Sequence, residues 1–201
     1  MVDPVVFFDT QFRRQIAASE FTLNPFEQAA LPYLKGRVLD LGCGLGNLAL
    51  EAGRHGCEVL AVDASPAAAE RINREAAAGN MVVRTVTADL GSYAITGHYD
   101  TVVSIGLLMF FPRDKALTLL EALQACVEED GCAIVNVLIE GTTYLDMFRE
   151  GHYTLFGREE LAQRFAGWEI CLSRHETFEA PGGKSKVFST VIARKPPSSL
   201  Q

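Results

Sequence analysis

Val38-Leu39-Asp40-Leu41-Gly42-Cys43-Gly44-Leu45-Gly46-Asn47 is the stretch that decides the fold. The end of an apolar strand, Arg37–Leu41, runs straight into glycines at 42, 44 and 46, and a helical pattern follows. Glycine at such a turn permits positive φ and lets a ligand lie directly against the backbone. In an open α/β sheet the ligand crevice lies beyond the carboxyl ends of the strands, where this turn falls.

Outward from the turn, short β-branched runs alternate with helical patterns. Further strands are expected at 58–62, 82–87, 101–105 and 133–138. Ser65-Pro66 reads as an N-cap followed by proline at the first helical position, where no amide donor is needed. That helix keeps Ala69, Ile72 and Ala76 on one face and stops at Gly79. Another is expected over 113–129, with Ala116, Leu119, Leu120, Leu123 and Val127 inward and Asp130-Gly131 ending it. Strands alternating with helices of this length require right-handed crossovers and a mostly parallel, doubly wound sheet covered on both faces. A helix near 158–165 then precedes two strand-like runs, 168–177 and 186–194, joined across Pro181-Gly182-Gly183 as an antiparallel hairpin. Two helices, around 11–18 and 25–34, come before the first strand. The expected organisation is one domain over 1–195, with 1–35 a helical cover, 36–195 the α/β core and 196–201 an unstructured tail.

Composition narrows the partner. At roughly 150 residues per domain, 201 residues suit a single core. With 48% hydrophobic and 21% charged residues, wholesale disorder is excluded. Lys and Arg number 18 against 25 Asp and Glu, and a net charge of −7 argues against a nucleic-acid binder, which needs a clustered basic face. A small-molecule partner is expected. Cys43, Cys57, Cys126, Cys132 and Cys171 are odd in number and form no C-x-x-C pair, so they read as small core residues in a reducing compartment. Met1-Val2-Asp3-Pro4 lacks the basic start of a secretory signal, and the longest apolar run, 105–112, is far short of the ~20 residues that span a bilayer. A cytoplasmic monomer or homodimer, in no membrane, is the expectation.

Two more acids frame the turn. Asp63 ends the second strand 17 residues after Gly46, where a carboxylate accepts both hydroxyls of a ribose. Asp89, in Thr87-Ala88-Asp89-Leu90, suits an adenine amino group. The plainer alternatives are a helix-flanking acid beside the Ser65 cap and an ordinary loop acid. A dinucleotide site wants G-x-G-x-x-G and a helix N-terminus ready for a pyrophosphate. Here the spacing is G-x-G-x-G, Asn47 takes the place of the last glycine, and Asp40 would repel a pyrophosphate. An acid at that point suits a cationic group such as an α-amino group or a sulfonium. The residues favour S-adenosylmethionine over NAD.

Asp40-Leu41-Gly42-Cys43-Gly44-Leu45-Gly46 resembles the first motif of class I S-adenosylmethionine-dependent methyltransferases. Asp63, Ala88-Asp89-Leu90 and Tyr99-Asp100-Thr101-Val102-Val103 resemble the successive motifs, in order and at the usual spacing, over residues 30–140 and more loosely to Lys195. The resemblance implies a Rossmann-like, seven-stranded, mostly parallel sheet with an antiparallel C-terminal hairpin strand and helices on both faces. It implies Gly42, Gly44 and Gly46 against the cofactor's methionine part, Asp63 on the ribose, and Asp89 with Leu90 beside the adenine; Ala64 and Ile105 join the expected cofactor contacts. The product would be S-adenosylhomocysteine, and no metal is involved. More narrowly, Leu107-Leu108-Met109-Phe110-Phe111 and Phe188-Ser189-Thr190-Val191-Ile192-Ala193-Arg194-Lys195 resemble the tellurite-resistance (TehB-like) methyltransferases, which act on tellurium and selenium oxyanions. That family carries a histidine–arginine pair before the last hairpin turn and an arginine after it. His175 stands at the histidine position and is the expected catalytic residue, but Glu176 replaces the arginine and Gly183-Lys184 occupies the later site. Exchanging a forked guanidinium for an acid weakens oxyanion binding.

Methyl transfer from a sulfonium is an in-line displacement in which positioning supplies most of the catalysis, and a base matters only for a protonated nucleophile. Met109 and Phe110 read as walls of the methyl pocket, with core packing as the plain alternative. His152, in the long segment 140–156, reads as a substrate contact on a lid, with a flexible surface segment as the plain alternative. Arg13, in the leading helix, reads as closing over the cofactor and pairing with its carboxylate, against the alternative of a solvated face. The expected function is methyl transfer to a small molecule, either a tellurite- or selenite-type oxyanion or a small organic acceptor. A non-catalytic S-adenosylmethionine-binding protein is the remaining alternative.

Overall fold

The first, second and fourth strands of the core each feed a helix that returns to the sheet. In the computed structural model, which describes residues 4–197, the order is α1 (Pro4–Ala18), α2 (Pro25–Ala30), β1 (Arg37–Leu41), α3 (Asn47–Arg54), β2 (Glu58–Asp63), α4 (Pro66–Ala78) and β3 (Val83–Thr87). Then follow β4 (Tyr99–Ile105), α5 (Arg113–Ala125), β5 (Val127–Leu138), α6 (Glu160–Gln163), β6 (Glu169–Ala180) and β7 (Lys184–Arg194). Of the tail expected to be unstructured, residues 198–201 lie outside the described residues.

One sheet holds the seven strands in the order β3-β2-β1-β4-β5-β7-β6. The first five strands in sequence pair in parallel, β7 runs antiparallel against β5, and β6 closes the edge antiparallel to β7. This is the class I methyltransferase architecture, and the period of two along each strand splits its core between two faces. Leu39 and Leu41 pack with Leu119, Leu120 and Leu123 of α5, whereas Val38 packs with Leu48, Ala49 and Ala52 of α3 and Ile72 of α4. Asp40 therefore shares the face of Val38, toward α3. Four of the cysteines are buried and all five are free thiols.

Several boundaries differ from the sequence expectation. The helix expected over 113–129 ends at Ala125, because Val127 pairs with Tyr99 and begins β5. Asp130 takes a φ of 58° inside that strand, where the chain bulges between the Tyr99 and Thr101 pairings. The segment expected as one helix over 25–34 splits, because Pro32 lacks the amide that an α-helix would use, and Leu31–Tyr33 tightens into a 3-10 turn. The first helix starts at Pro4 rather than near residue 11, and the helix near 158–165 is only Glu160–Gln163.

Candidate functional site

The glycine turn is tied to its neighbouring strand before any ligand enters. The amides of Gly42 and Cys43 donate to the Val62 carbonyl at 2.8 and 3.2 Å. Gly46 caps α3 with a φ of 72°, and a Cβ there would overlap the Ile72 side chain. Gly46 thus seats α3 against α4, and it is not among the residues that line the cavity.

Three carboxyl groups stand at the carboxyl ends of three adjacent strands. Asp40 belongs to β1, Asp63 ends β2, and Asp89 follows β3. Asp63 accepts from the Gly44 and Ser65 amides, each at 2.9 Å, so the glycine turn and the α4 cap hold its carboxylate in place. Asp89 accepts from the Gly91 amide at 2.9 Å and the Ser92 hydroxyl at 3.1 Å. Together they border a cavity of about 600 Å³.

Asp40 is 4% exposed, and its carboxyl is pushed up to about 8, first by burial and then by the neighbouring Glu27 and Asp63 carboxylates. Burial also raises Asp63 and outweighs the amides of Ser65 and Gly44, which favour its charged form. Glu27 is raised by burial as well, although it accepts from the Asn24 amide at 2.7 Å in a capping box that starts α2.

Helix α1 closes one side of the cavity. The Phe8 ring meets Phe110 edge to face at 5.2 Å, and the Ser65 hydroxyl donates to Asp9 at 2.5 Å. Hydrogen bonds from Ser65 and Arg13 hold the Asp9 carboxyl below its ordinary range. The far end of the cavity is largely apolar, with Phe26, Met109, Phe110, Met147 and Phe188, and it also contains Asn136 and Lys186.

Of the residues expected at the site, Asp40, Gly42, Gly44, Asp63, Ala64, Asp89, Leu90, Ile105, Met109 and Phe110 line this one cavity. Arg13, His152 and His175 are not among its lining residues. Arg13 is 63% exposed and pairs with Asp9 at 2.8 Å, one turn back along α1. His152 sits on an exposed turn, although its segment sends Met147 into the cavity. His175 lies on the edge strand β6, where Arg174 donates to the Pro25 carbonyl and Phe178 meets Phe26 on the cavity's side of the sheet. Alternation along the strand turns His175 to the other face. Glu176, the departure noted in the sequence, forms an ion pair with Arg174 at 2.8 Å.

Glu27, Asn136 and Lys186 escaped the sequence reading. Asn136 carried a signal: it is a lone amide in the apolar run Ala133-Ile134-Val135-Asn136-Val137-Leu138, and a buried polar group in such a run needs a partner.

The chain has relatives among known proteins. Residues 38–131 match the family described as a methyltransferase domain. Hemagglutinin 1 of Eikenella corrodens is 27% identical over 166 residues, 80% of this chain and 55% of that protein. The probable S-adenosyl-L-methionine-dependent methyltransferase TehB of Haemophilus influenzae (strain 10810) is 25% identical over 166 residues, 79% of this chain and 57% of its own length. The chain thus spans little more than half the length of these relatives. The crystal structure of TehB from Haemophilus influenzae superposes with a TM-score of 0.73 at 20% identity, covering 96% of this chain and 67% of that one.

Proposed function

We propose that this chain, which has the class I S-adenosylmethionine-dependent methyltransferase fold and resembles TehB, transfers a methyl group from S-adenosylmethionine to a small-molecule acceptor in the cavity described above. The observation that carries the proposal is the row of carboxyl groups, Asp40, Asp63 and Asp89, at consecutive strand ends around one glycine turn. The residues fit that cofactor. Asp40 is buried beside two other acids, a setting that a cationic α-amino group relieves. Asp63 is fixed by two amides and keeps acceptor capacity for a ribose. Gly42 and Gly44 leave the methionine part in contact with backbone, Asp89 takes the adenine amino group, and Leu90 and Ile105 flank the nucleoside.

When bound, S-adenosylmethionine supplies a methyl group on a sulfonium whose departure needs no proton. Met109 and Phe110 wall the acceptor side, exclude water and limit the geometries a nucleophile can take. A small organic acceptor is favoured over a tellurite- or selenite-type oxyanion. The acceptor end is largely aromatic and aliphatic, and Glu176 is held in an ion pair by Arg174. We read residues 1–195 as a single domain in which α1 and α2 cover this site.

An acceptor screen that measures S-adenosylhomocysteine release tests the proposal. Release is expected with small organic acids, amines or phenols and weak or absent with tellurite and selenite. Release with the oxyanions alone would reject the organic acceptor, and failure to bind the cofactor would reject the whole reading.

A further inference from the structure

Lys186 is the only basic side chain among the residues that line the cavity, and it stands at the acceptor end, with Phe188 beside it on the same strand face. Its Nζ lies 4.8 Å from the Tyr144 ring centroid, and among the described residues it forms no ion pair. The other charged lining groups, Glu27, Asp40, Asp63 and Asp89, are all acids. An ammonium held by an aromatic face keeps its donors for an incoming anion.

Asn136 supplies the second observation. It is fully buried in β5, its Nδ2 donates to the Thr190 hydroxyl at 2.9 Å, and its Oδ1 has no hydrogen-bond partner while the residue lines the cavity. A buried carbonyl oxygen without a partner costs free energy that a ligand's N–H or O–H recovers. Register places Asn136 opposite Thr190 on β7, four residues from Lys186, and alternation turns Asn136, Phe188 and Lys186 to one face.

We infer that the acceptor is an organic acid: its carboxylate is held by Lys186, its apolar body lies among Phe26, Met109, Phe110 and Phe188, and its N–H or O–H is held by the Asn136 Oδ1. This rests on the methyltransferase reading above and names the class of its acceptor. Burial pushes the Lys186 amine below its ordinary range, as expected of a cation that awaits an anion. In the transfer, the nucleophile's lone pair forms the new bond to the methyl carbon and the carbon–sulfur pair stays on sulfur as the thioether. The nucleophile's proton passes to solvent.

The test uses the full chain loaded with S-adenosylhomocysteine and a panel of benzoic acids bearing one hydroxyl or amino group, each beside its amide. Affinities are read by calorimetry or ligand-observed magnetic resonance. At least one acid is expected to bind about tenfold tighter than its amide, as a charge-assisted contact predicts. Lys186→Met should erase that preference with S-adenosylhomocysteine affinity unchanged, Lys186→Arg should keep it, and Asn136→Leu should weaken acid and amide alike. The proposal is overturned if no acid is preferred, if neither member of any pair binds, or if the preference survives Lys186→Met. Failure of the wild-type chain to bind S-adenosylhomocysteine would instead overturn the cofactor reading beneath it.

Discussion

Asp40 is where the chemistry of the site is most exposed to measurement. With its carboxyl pushed up to about 8, it holds a proton at neutral pH in the absence of a cation. A cationic α-amino group placed beside it restores the carboxylate, so binding of S-adenosylhomocysteine near pH 7 is expected to release a proton. Calorimetry in buffers of different ionisation enthalpy would show this as a buffer-dependent heat, and Asp40→Asn should abolish the dependence. The sign for stability follows. A carboxyl raised in the folded chain binds its proton there more tightly than in the unfolded chain. Its contribution is therefore fully present below its ordinary value near 3.8 and is lost as pH rises toward about 8. At this scale the strand-end acids at the cavity could be placed from the sequence, because a strand end followed by alternating glycines fixes where Asp40 sits, and the next two strand ends fix Asp63 and Asp89. Lys186 could not be placed so, because the pairing of β7 with β5 is long-range and no local pattern carries it, and Asn136 showed only as a lone amide in an apolar run, its partner Thr190 coming from β7. His175 does not line the cavity for a related reason, since resemblance supplies a position along a strand and the pleat decides the face.

Among the elements, α3 depends on Gly46. Its φ of 72° is unfavourable for a side chain, and a Cβ would meet Ile72 on α4. Gly46→Ala is expected to cost roughly 1–3 kcal/mol of stability, read as a lower melting temperature. An unchanged melting temperature would show that α3 does not need this conformation. Helix α1 is the cover. Phe8→Ala removes the edge-to-face contact with Phe110, and S-adenosylhomocysteine binding should weaken by about 0.5–1.5 kcal/mol. Hydrogen exchange in α1 should quicken while the β1–β4 core keeps its protection. The start of this helix was illegible because Val5, Val6, Phe7 and Phe8 have weak helical propensity, and the contact that orders them comes from residue 110. The end of α5 misled in the opposite direction. Val127 continues the apolar stripe of Leu120 and Leu123 but is claimed by pairing with Tyr99, so one residue satisfies two periods and the sheet decides.

For the molecule as a whole, the sheet order puts the carboxyl ends of β3, β2, β1 and β4 side by side, and the N-terminal helices and the β5–β7 face close the cavity from two sides. The acidic balance of the chain acquires a local meaning in this arrangement. Four of its acids line the cavity, and Lys186 is their basic counterpart at the far end. The end of the cavity that carries Asp40, Asp63 and Asp89 was readable as sequence because it is built from the ends of three strands that follow one another along the chain. The largely apolar end draws on residues 26, 109, 136, 147, 186 and 188, which only the folded topology brings together. The row of acids around the glycine turn suits a nucleoside carrying a cationic amino acid, not a dinucleotide. Calorimetric titration of the purified chain with S-adenosylhomocysteine and, separately, with NAD tests it most directly, with Asp63→Ala run alongside. Binding of S-adenosylhomocysteine is expected at one site per chain, with a loss of roughly 1–3 kcal/mol in the variant and no comparable heat with NAD. Tight binding of NAD without S-adenosylhomocysteine, or an affinity that Asp63→Ala leaves unchanged, would contradict it.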